Sequence, residues 1–549
     1  MDYIAVVECV SSGILYIDEI IAHGCKPLVI NTNVKTHDLD NYRKMLRENL
    51  KDRVEFLDEG EDFDALMEEL RGYKIKAVFP GSEYGVRLAD RLTAALGLKG
   101  NDEKTTYLRC TKEGMHEALG KAGIRRIETE KVKSESDIEE FWKKNKLDKC
   151  VLKFSESAAT VGLKICSSLD EAIEHYKLMR GTENYRGETG SDILIQEYIS
   201  GTEYIVNTLS CDGKHMLTDV WSYAKVQARD GTLAYDYAKL VKDLEPGHID
   251  MIRYAYKVLD AVDMKWGLCH IEIKIDRKGP VLIETNARPM GLAMTASYLD
   301  EVLGYHLTDL AIETYFRPST FNKYARRIYN PPKYALMKLL IVPEKIKGSF
   351  GPTFLFSNLL RSTREILFFG KEEVSTYPRT IDLETCPLVV KMVNPDYGAL
   401  MKDYEMIRLI ESNYFHLLYS SNNEVPAVEP HTDIEGIIKT LYPSWRFAVV
   451  KDDGVSIAQN GKMTELDNWS IFDGAIYAKC GKDTTEERCR TIFRTILTVR
   501  SGGLFIIAPE SFSSMEDGSV IVEFIMNIAG VHVIAPSYDS NGLIYGLKK

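Results

Sequence analysis

Polar residues that could bind a cation alternate with apolar ones over residues 266–291, WGLCHIEIKIDRKGPVLIETNARPMG. A strand's period of two puts two polar sets on one face of a hairpin: His270, Glu272 and Lys274, then Glu284, Asn286 and Arg288. A turn over 276–280 joins the strands, and we expect Val281 and Ile283 on the opposite, apolar face. Two carboxylates and an amide are few, hard ligands, which suit Mg²⁺ shared with nucleotide phosphates. A solvated polar face without a ligand is the alternative.

Two lysines and a loop of small residues precede this hairpin and could bind phosphate. The stretch 149–166, KCVLKFSESAATVGLKIC, is predicted as a strand, a loop over 155–162 and a second strand. Small residues let backbone N–H groups approach phosphate oxygens, and Lys153 adds a positive charge beside them. Lys112 lies in the first turn of a predicted helix, where a solvated lysine is the ordinary interpretation. No Walker loop is present, and a hairpin without a ligand stays open.

Strands and helices alternate over residues 3–81, which predicts a parallel sheet with helices on its faces. The last of these strands ends at Gly81-Ser82-Glu83, the edge where open α/β sheets bind ligands. Glu83 could hold a substrate there, or it could simply start the helix 84–96, because a first turn favours acids.

A second strand, turn and strand is predicted over residues 194–210, LIQEYISGTEYIVNTLS. A strand edge here offers a backbone carbonyl and N–H that could pair with adenine, and Glu203 follows within reach of ribose hydroxyls. By itself this pattern is only a β-hairpin with a glycine turn.

Together these motifs resemble the ATP-grasp superfamily over about residues 1–420. They are Lys112, Lys153 with its small-residue loop, Q-E-Y-I-x-G-x-E, and E-x(11)-E-T-N-x-R, in that order. QEYISGTEYIVNTLS and VFPGSEYGVRLADRL resemble in particular the L-amino-acid ligases, which join a carboxylate to an amine and share a biotin-carboxylase-like core. The loop SESAATVG is poorer in glycine than many loops of the family, so its phosphate contacts stay open.

The resemblance implies roles for individual residues. ATP contacts are implied for Lys112, Lys153, Ser155, Ser157, Ala158, Gln196, Glu197, Ile199 and Glu203. Gln196 and the backbone of Glu197 and Ile199 would hold adenine, Glu203 the ribose, and the loop 155–162 would close over the phosphates. Two Mg²⁺ ions, with Mn²⁺ as a substitute, would be held by Glu272, Glu284 and Asn286. Arg288 and Lys153 would be the catalytic cations.

Substrate contacts are predicted from the polar and aromatic segment 219–241 and from the residues that follow Arg288. The candidates are Glu83, Lys225, Tyr235, Met290, Gly291 and Leu292. Aromatic residues in such a segment often serve packing alone. Leu292, four residues beyond Arg288, could set the room available to the carboxylate substrate.

The length, net charge and cysteine count agree with a large enzyme that acts on small molecules. A chain of 549 residues with a net charge of −12 predicts several domains and a surface that disfavours nucleic acid and anionic membranes. The ten cysteines form no C-x-x-C pair, which argues against a zinc or disulfide framework. We therefore expect a cytoplasmic protein without a membrane span, whose partners are small molecules or proteins. A homodimer is also predicted.

The fold class is predicted as α/β, with α+β character in the ATP-grasp part. We expect a Rossmann-like parallel sheet over 1–100, a two-lobed ATP-grasp core over 101–320 with its small lobe at about 125–205, and a C-terminal lobe over 321–421. A linker over 422–431 would lead to an extra α/β domain over 432–549. That domain resembles the later half of a class I methyltransferase sheet but lacks the glycine-rich turn for S-adenosylmethionine, so docking or a structural role is favoured.

Four functions, ranked in order, follow from this interpretation. The first is an ATP- and Mg-dependent carboxylate–amine ligase that forms an acyl phosphate and joins two amino acids. The second attaches an amino acid such as glutamate to a carrier protein or a larger amine. The third is a non-catalytic nucleotide-binding scaffold, which the intact set of Glu272, Glu284, Asn286 and Arg288 disfavours. A biotin-dependent carboxylase ranks last, because the only biotin-like lysine, Lys338, lies in a strand pattern.

Overall fold

The described part of the chain falls into two units. The computed structural model describes residues 1–155, 163–182, 192–227, 233–342, 349–350, 360–368, 378–380, 383, 385–413, 419–420, 446–452, 454–459, 462–465, 472–478, 484–507, 521, 525, 531–535 and 544–548. Unit 1 comprises Met1–Glu344, Arg364–Phe369 and Arg379–Met401. Unit 2 comprises Lys345–Thr363, Gly370–Pro378 and Lys402–Lys549. The predicted domain boundaries inside these units stay predictions.

Unit 1 begins with the predicted parallel sheet. Its strands are β1 (Asp2–Val7), β2 (Lys26–Asn31), β3 (Glu55–Asp58) and β4 (Lys74–Pro80), in the order β3-β2-β1-β4 and all parallel. The helices are α1 (Leu15–Ala22), α2 (His37–Leu50), α3 (Phe63–Leu70) and α4 (Val86–Ala95). Ile4 and Val6 pack into one apolar cluster, and Ala5 and Val7 into another. Both faces of β1 are therefore covered, as parallel strands require.

A buried arginine fixes the start of the helix that carries Lys112. The short α5 (Tyr107–Cys110) precedes α6 (Lys112–Lys121). Arg109 is 1% exposed and donates to the Asp90 carboxylate at 2.9 Å and to the Val262 carbonyl at 2.9 Å. Because α6 follows Arg109 directly, Lys112 is held at a defined place on the edge of the core.

A small four-stranded sheet carries the phosphate-binding candidates. Its elements are β5 (Thr129–Val132), α7 (Glu135–Lys144), β6 (Cys150–Phe154), β7 (Lys164–Cys166), α8 (Leu169–Met179) and β8 (Ile193–Glu197). The strand order is β5-β8-β6-β7, and every neighbouring pair is antiparallel. One apolar cluster, with Phe141 from α7 and Tyr176 from α8, covers one face.

The large sheet of unit 1 supplies the rest of the core. Its elements are β9 (Thr202–Cys211), β10 (Lys214–Gln227), β11 (Leu233–Leu240), α9 (Pro246–Ala261), β12 (Gly267–Asp276), β13 (Gly279–Asn286), α10 (Ala296–Leu303), α11 (Leu307–Phe316), α12 (Pro318–Ala325) and β14 (Tyr334–Leu339), with β16 (Thr363–Phe368), β17 (Leu388–Asn394) and α13 (Tyr397–Asn413) later in the chain. The strand order is β13-β12-β9-β10-β11-β14-β17-β16.

The predicted strands at 194–210 exist, but β8 and β9 lie in different sheets. The hairpin alternative for that stretch is therefore wrong.

The prediction that Val281 and Ile283 face away from the polar residues is wrong. The β12–β13 register shifts after Glu272, so that Glu272 pairs with Glu284, Ile273 with Leu282 and Lys274 with Val281. Ile283 is the extra residue of this bulge. Val281 and Ile283 therefore join an apolar cluster with Ile127 and Ile199, while Leu282 packs with the residues of α9.

Unit 2 contains a seven-stranded sheet. Its elements are β15 (Ser349–Phe350), β18 (Tyr419–Ser420), β19 (Phe447–Lys451), β20 (Gly454–Gln459), β21 (Lys462–Glu465), β22 (Phe472–Tyr477), α14 (Thr485–Leu497), β23 (Val499–Ile507), β24 (Val531–Ala535) and β25 (Ile544–Lys548). β15 and β18 form a separate two-stranded sheet. The other seven strands form the large sheet, in the order β21-β20-β19-β22-β23-β25-β24. β19, β22 and β23 are parallel, and β25 lies between β23 and β24, antiparallel to both. Strand β22, helix α14 and strand β23 follow one another as predicted, whereas the predicted helix 519–529 lies largely outside the described residues. The methyltransferase likeness stays a prediction.

Two further expectations can be checked. Lys338 is fully buried in β14 and pairs with Asp236 at 3.0 Å, so it cannot serve as an exposed carrier lysine. Within the described residues we find no helix with the length and apolar character that a bilayer crossing needs.

Candidate active site

Two carboxylates stand directly opposite each other on neighbouring strands. Glu272 of β12 pairs with Glu284 of β13 in the antiparallel register, which brings their side chains to the same face. The Nζ atom of Lys112 lies 2.8 Å from a Glu284 oxygen, and the Asn286 side-chain amide donates to the other oxygen at 3.3 Å. Facing carboxylates repel, so this pair needs positive charge beside it, and Lys112 supplies part of that charge.

Lys153, which belongs to the small sheet, also lies near the facing carboxylates. It lies on β6, is 3% exposed, and neighbours Lys112 together with the carboxylates of Glu284 and Glu272. Burial first, and then the charge of Lys112, lower the pKa of the Lys153 ammonium to about 7 despite the nearby acids. Burial alone would raise the pKa of Glu284, but Lys112 and Lys153 hold it below its usual value. The sequence-predicted lysines and metal ligands thus form one cluster.

We expect ATP binding to take up a proton on Lys153. The free site has a Lys153 pKa near 7, and a bound triphosphate stabilises the ammonium, so binding pulls the pKa back up. Above about pH 7, the ATP dissociation constant should therefore rise with pH, by up to about tenfold per pH unit. Calorimetry in buffers of different ionisation enthalpy measures this uptake. Lys153→Met should abolish it, while exposed Lys143→Met should not; uptake that persists in Lys153→Met contradicts the assignment.

The residues predicted to bind the nucleoside line the next part of the site. Glu203 is buried, and Lys225 donates to both its carboxylate oxygens at 2.8 and 3.0 Å. Lys274 donates to the Ile199 carbonyl at 3.2 Å, beside the apolar cluster of Ile127, Ile199 and Val281. Ile199 lies in the connection between β8 and β9 and not on a strand edge, but an apolar cluster next to a backbone carbonyl still suits a flat base. Lys225 thus pairs with Glu203, the residue predicted to hold the ribose, and the substrate role of Lys225 stays a prediction.

Three other predicted ATP contacts have protein partners. Gln196 is buried, and its amide donates to the Thr129 hydroxyl at 2.7 Å and lies 3.1 Å from His116 Nε2. The Glu197 N–H donates to the Glu128 carbonyl at 3.1 Å, and the Ser155 N–H donates to the Asp192 carbonyl at 2.8 Å. Ser157 and Ala158, with the rest of the predicted closing loop to Gly162, lie outside the described residues.

Arg288 and Glu83 meet at the other end of the site. Arg288 Nε lies 3.7 Å from a Glu83 oxygen, and both side chains are largely covered. Glu83 begins a 3-10 turn, Glu83–Gly85, directly after β4. Glu83 therefore starts a helical segment and also lies beside Arg288, and its substrate role stays a prediction.

The remaining substrate candidates divide into core and boundary positions. Met290 is 2% exposed, and its sulfur accepts from Asn207 at 3.3 Å, so it belongs to the core. Tyr235 is also buried, with Lys225 Nζ 4.3 Å from its ring centre. Gly291 lies near Ser11, and Leu292 is half-buried with a φ of 66°. Leu292 is thus the candidate with a side chain at the edge of the core.

A buried network behind Glu272 was not predicted. His270 lies 3.3 Å from a Glu272 oxygen through Nε2 and 3.0 Å from the Asn207 oxygen through Nδ1. Asn207 donates in turn to the fully buried Asp219. The signal available in the sequence was the polar face shared by His270 and Glu272, but Asn207 and Asp219 come from other strands and carry no local pattern.

The donor set fits magnesium that is shared with a nucleotide. In the part of the chain that the structure describes, no three or more His, Cys, Asp or Glu side chains come together as a complete metal cage. Two carboxylates and one amide leave several positions of an octahedral ion open, which suits an ion that also binds phosphate oxygens. Asn286 donates through its nitrogen, so its oxygen remains as a ligand.

Comparisons by sequence found a matching domain family and a similar protein. An ATP-grasp domain model matches residues 148–297. Dapdiamide A synthase of Enterobacter agglomerans is 26% identical over 359 residues, which is 65% of this chain and 84% of the relative.

Two solved structures share the fold. An L-amino acid ligase from Bacillus licheniformis aligns with a TM-score of 0.56 and 15% identity, covering 74% of this chain and 97% of that chain. N5-carboxyaminoimidazole ribonucleotide synthetase from Thermotoga maritima aligns with a TM-score of 0.51 and 14% identity, covering 74% and 97%. The chain therefore contains an ATP-grasp domain over residues 148–297 and shares the fold of the L-amino acid ligase from Bacillus licheniformis.

Proposed function

We propose that this protein is an ADP-forming ligase that joins the carboxylate of one amino acid to the amine of another. The observation that carries the proposal is the order of charged pairs along the β12–β13 hairpin and just beyond its end. Lys274 lies by Glu203, Glu272 pairs with Glu284, and Arg288, two residues past β13, lies by Glu83. A nucleoside end, a phosphate and cation centre, and an end for a charged small molecule follow one another.

The chemistry requires this arrangement. A carboxylate is a poor electrophile, because its leaving group would be oxide. When a carboxylate oxygen attacks the γ-phosphorus of ATP, the bond to the β–γ bridging oxygen breaks and an acyl phosphate and ADP form. The amine then attacks the acyl carbon, phosphate leaves, and the amine nitrogen loses its surplus protons. Both partners of the first step are anions, so repulsion dominates the barrier.

Positively charged residues of this chain reduce that repulsion. Lys112 and Lys153 bring two positive charges to the phosphate end, and Arg288 brings a third to the carboxylate end. Glu83 beside Arg288 can hold the ammonium of an amino-acid substrate while the arginine orients its carboxylate. The loop 155–162 would exclude water from the acyl phosphate in this proposal.

Glu272, Glu284 and Asn286 would hold Mg²⁺, whose chemistry is to neutralise phosphate charge. Two relatives support the choice of substrates. One is named a dapdiamide A synthase and another an L-amino acid ligase. Amino-acid substrates are therefore the first to test.

The test is phosphate release from ATP across single amino acids and pairs, with product masses read by mass spectrometry. We expect release that needs two amino acids and a product mass equal to their sum minus water. With an ¹⁸O-labelled carboxylate, one labelled oxygen should appear in the released phosphate. Amide formation without ¹⁸O in the released phosphate would contradict an acyl-phosphate intermediate.

The same assay separates the alternatives. Release that requires one amino acid and a carrier protein would favour attachment to a macromolecular amine. No release with any combination, although ATP binds, would favour a nucleotide-binding scaffold.

A further inference from the structure

The backbone just beyond Arg288 adopts a conformation that side chains disfavour. Leu292 has a φ of 66° and Ala293 a φ of 42°, so two consecutive L-residues lie in or near the left-handed region. Residues other than glycine rarely adopt this conformation, and it persists only where the surroundings hold it. Contacts from elsewhere in the fold must therefore fix this segment, which we call the 291–294 loop.

A buried lysine on a distant strand holds the loop. Lys391 of β17 is 1% exposed, and its Nζ donates to the carbonyl oxygen of Ala293. The same ammonium pairs with Glu365 of β16 at 2.9 Å. Glu365 also accepts from the hydroxyls of Thr295 and, at 2.9 Å, Ser297. One ion pair thus binds both the loop carbonyl and the start of α10.

The other side of the loop rests on the N-terminal sheet domain. The Met294 N–H donates to the Ser12 hydroxyl at 3.2 Å, and a Cβ on Gly291 would lie 3.6 Å from Ser11 Oγ. Ser11 and Ser12 follow β1, at the edge where open parallel sheets bind ligands. The half-buried Leu292 is therefore followed by two anchored residues, Ala293 and Met294, and it lies four residues beyond Arg288.

Stability alone does not explain the ion pair. Replacing a buried ion pair by apolar residues is often neutral or stabilising, so such a pair is weak evidence for a purely stabilising role. Here the lysine is aimed at the carbonyl of the residue with the disfavoured backbone. A charged donor to that carbonyl favours one orientation of the peptide and so one location of Leu292.

We propose that Lys391, supported by Glu365, is a positioning residue that sets the location of Leu292 and so the size of side chain accepted in the activated amino acid. This inference rests on the proposed ligase function. Lys391 does not touch substrate; it acts through the Ala293 carbonyl.

The test compares acids of increasing apolar side chain, with the amine substrate fixed, in Lys391→Met, Glu365→Gln, Ala293→Gly and Lys391→Met/Ala293→Gly. The ratio of kcat/KM between small and large acids should fall by about tenfold in Lys391→Met, the scale of apolar-pocket discrimination. Most of the change should lie in KM. Glycine adopts positive φ without steric cost, so Ala293→Gly should keep the wild-type ratio and restore it in the double variant.

Lys338→Met is the matched control. Lys338 is also a fully buried lysine of the same sheet, and it pairs with Asp236 at 3.0 Å and donates to the Leu339 carbonyl at 2.5 Å. Hydrogen exchange of the peptide spanning 290–296 should accelerate in Lys391→Met and not in Lys338→Met. This readout needs no activity, and Glu365→Gln provides a milder change if Lys391→Met folds poorly.

The outcomes separate the two proposals. Suppose that wild-type protein forms amides and that Lys391→Met distinguishes small from large acids as well as wild type does. The positioning role is then overturned, while the ligase function stands. If glycine fails to restore discrimination in the double variant, the backbone mechanism is overturned. If wild type forms no amide from any pair, both proposals fall.

Discussion

Glu284→Gln should lower kcat by about 10²- to 10³-fold, which is the usual loss for one preorganised charged or polar group at a reacting centre. Glutamine keeps the shape of the side chain but removes the charge that pairs with Lys112 at 2.8 Å. In the proposed mechanism the same charge holds magnesium, so the Mg²⁺ concentration for half-maximal rate should also rise. Steady-state phosphate release against Mg²⁺ concentration measures both effects.

The control for this variant is Glu117→Gln. Glu117 lies on α6, the helix of Lys112, and pairs with Lys121 at the exposed surface. It should leave kcat and the Mg²⁺ dependence unchanged. Turnover of Glu284→Gln close to that of wild type would show that the facing carboxylates are not the cation site.

Arg288→Ala should lower kcat by about 10²-fold with little change in the KM for ATP. The guanidinium lies beside Glu83, at the opposite end of the site from Glu203 and Lys225. Its loss removes positive charge where the phosphoryl group is transferred but leaves the nucleoside contacts intact. Initial rates at varied ATP and varied amino acid separate the two parameters.

Two further variants sharpen this result. Arg288→Lys keeps the charge but not the planar geometry, so its loss should be smaller than that of Arg288→Ala. Arg253→Ala removes an exposed arginine of α9 that pairs with nearby Asp250 at 3.2 Å, and it should behave as wild type. A large rise in the KM for ATP with unchanged kcat would assign Arg288 to nucleotide binding instead.

Much of the site could be predicted because its signals are local. Alternation over 270–288 places Glu272, Glu284 and Asn286 on one face, and the structure pairs the two glutamates across the hairpin. The parallel N-terminal sheet was predictable for the same reason, since strands and helices alternate along the chain. The β-bulge at Ile283 was not, because the extra residue breaks the two-residue period only when the partner strand is known.

Only the tertiary structure decided which residues that are far apart in the chain contact each other. The sequence by itself determined which chemical groups are present, their order, and the faces of individual strands, because those depend on backbone periodicity. It could not determine that Lys225 pairs with Glu203, or that Lys391 reaches the Ala293 carbonyl across 98 residues. Such pairings depend on sheet order and register, which arise when distant segments pack together, and no local pattern records them.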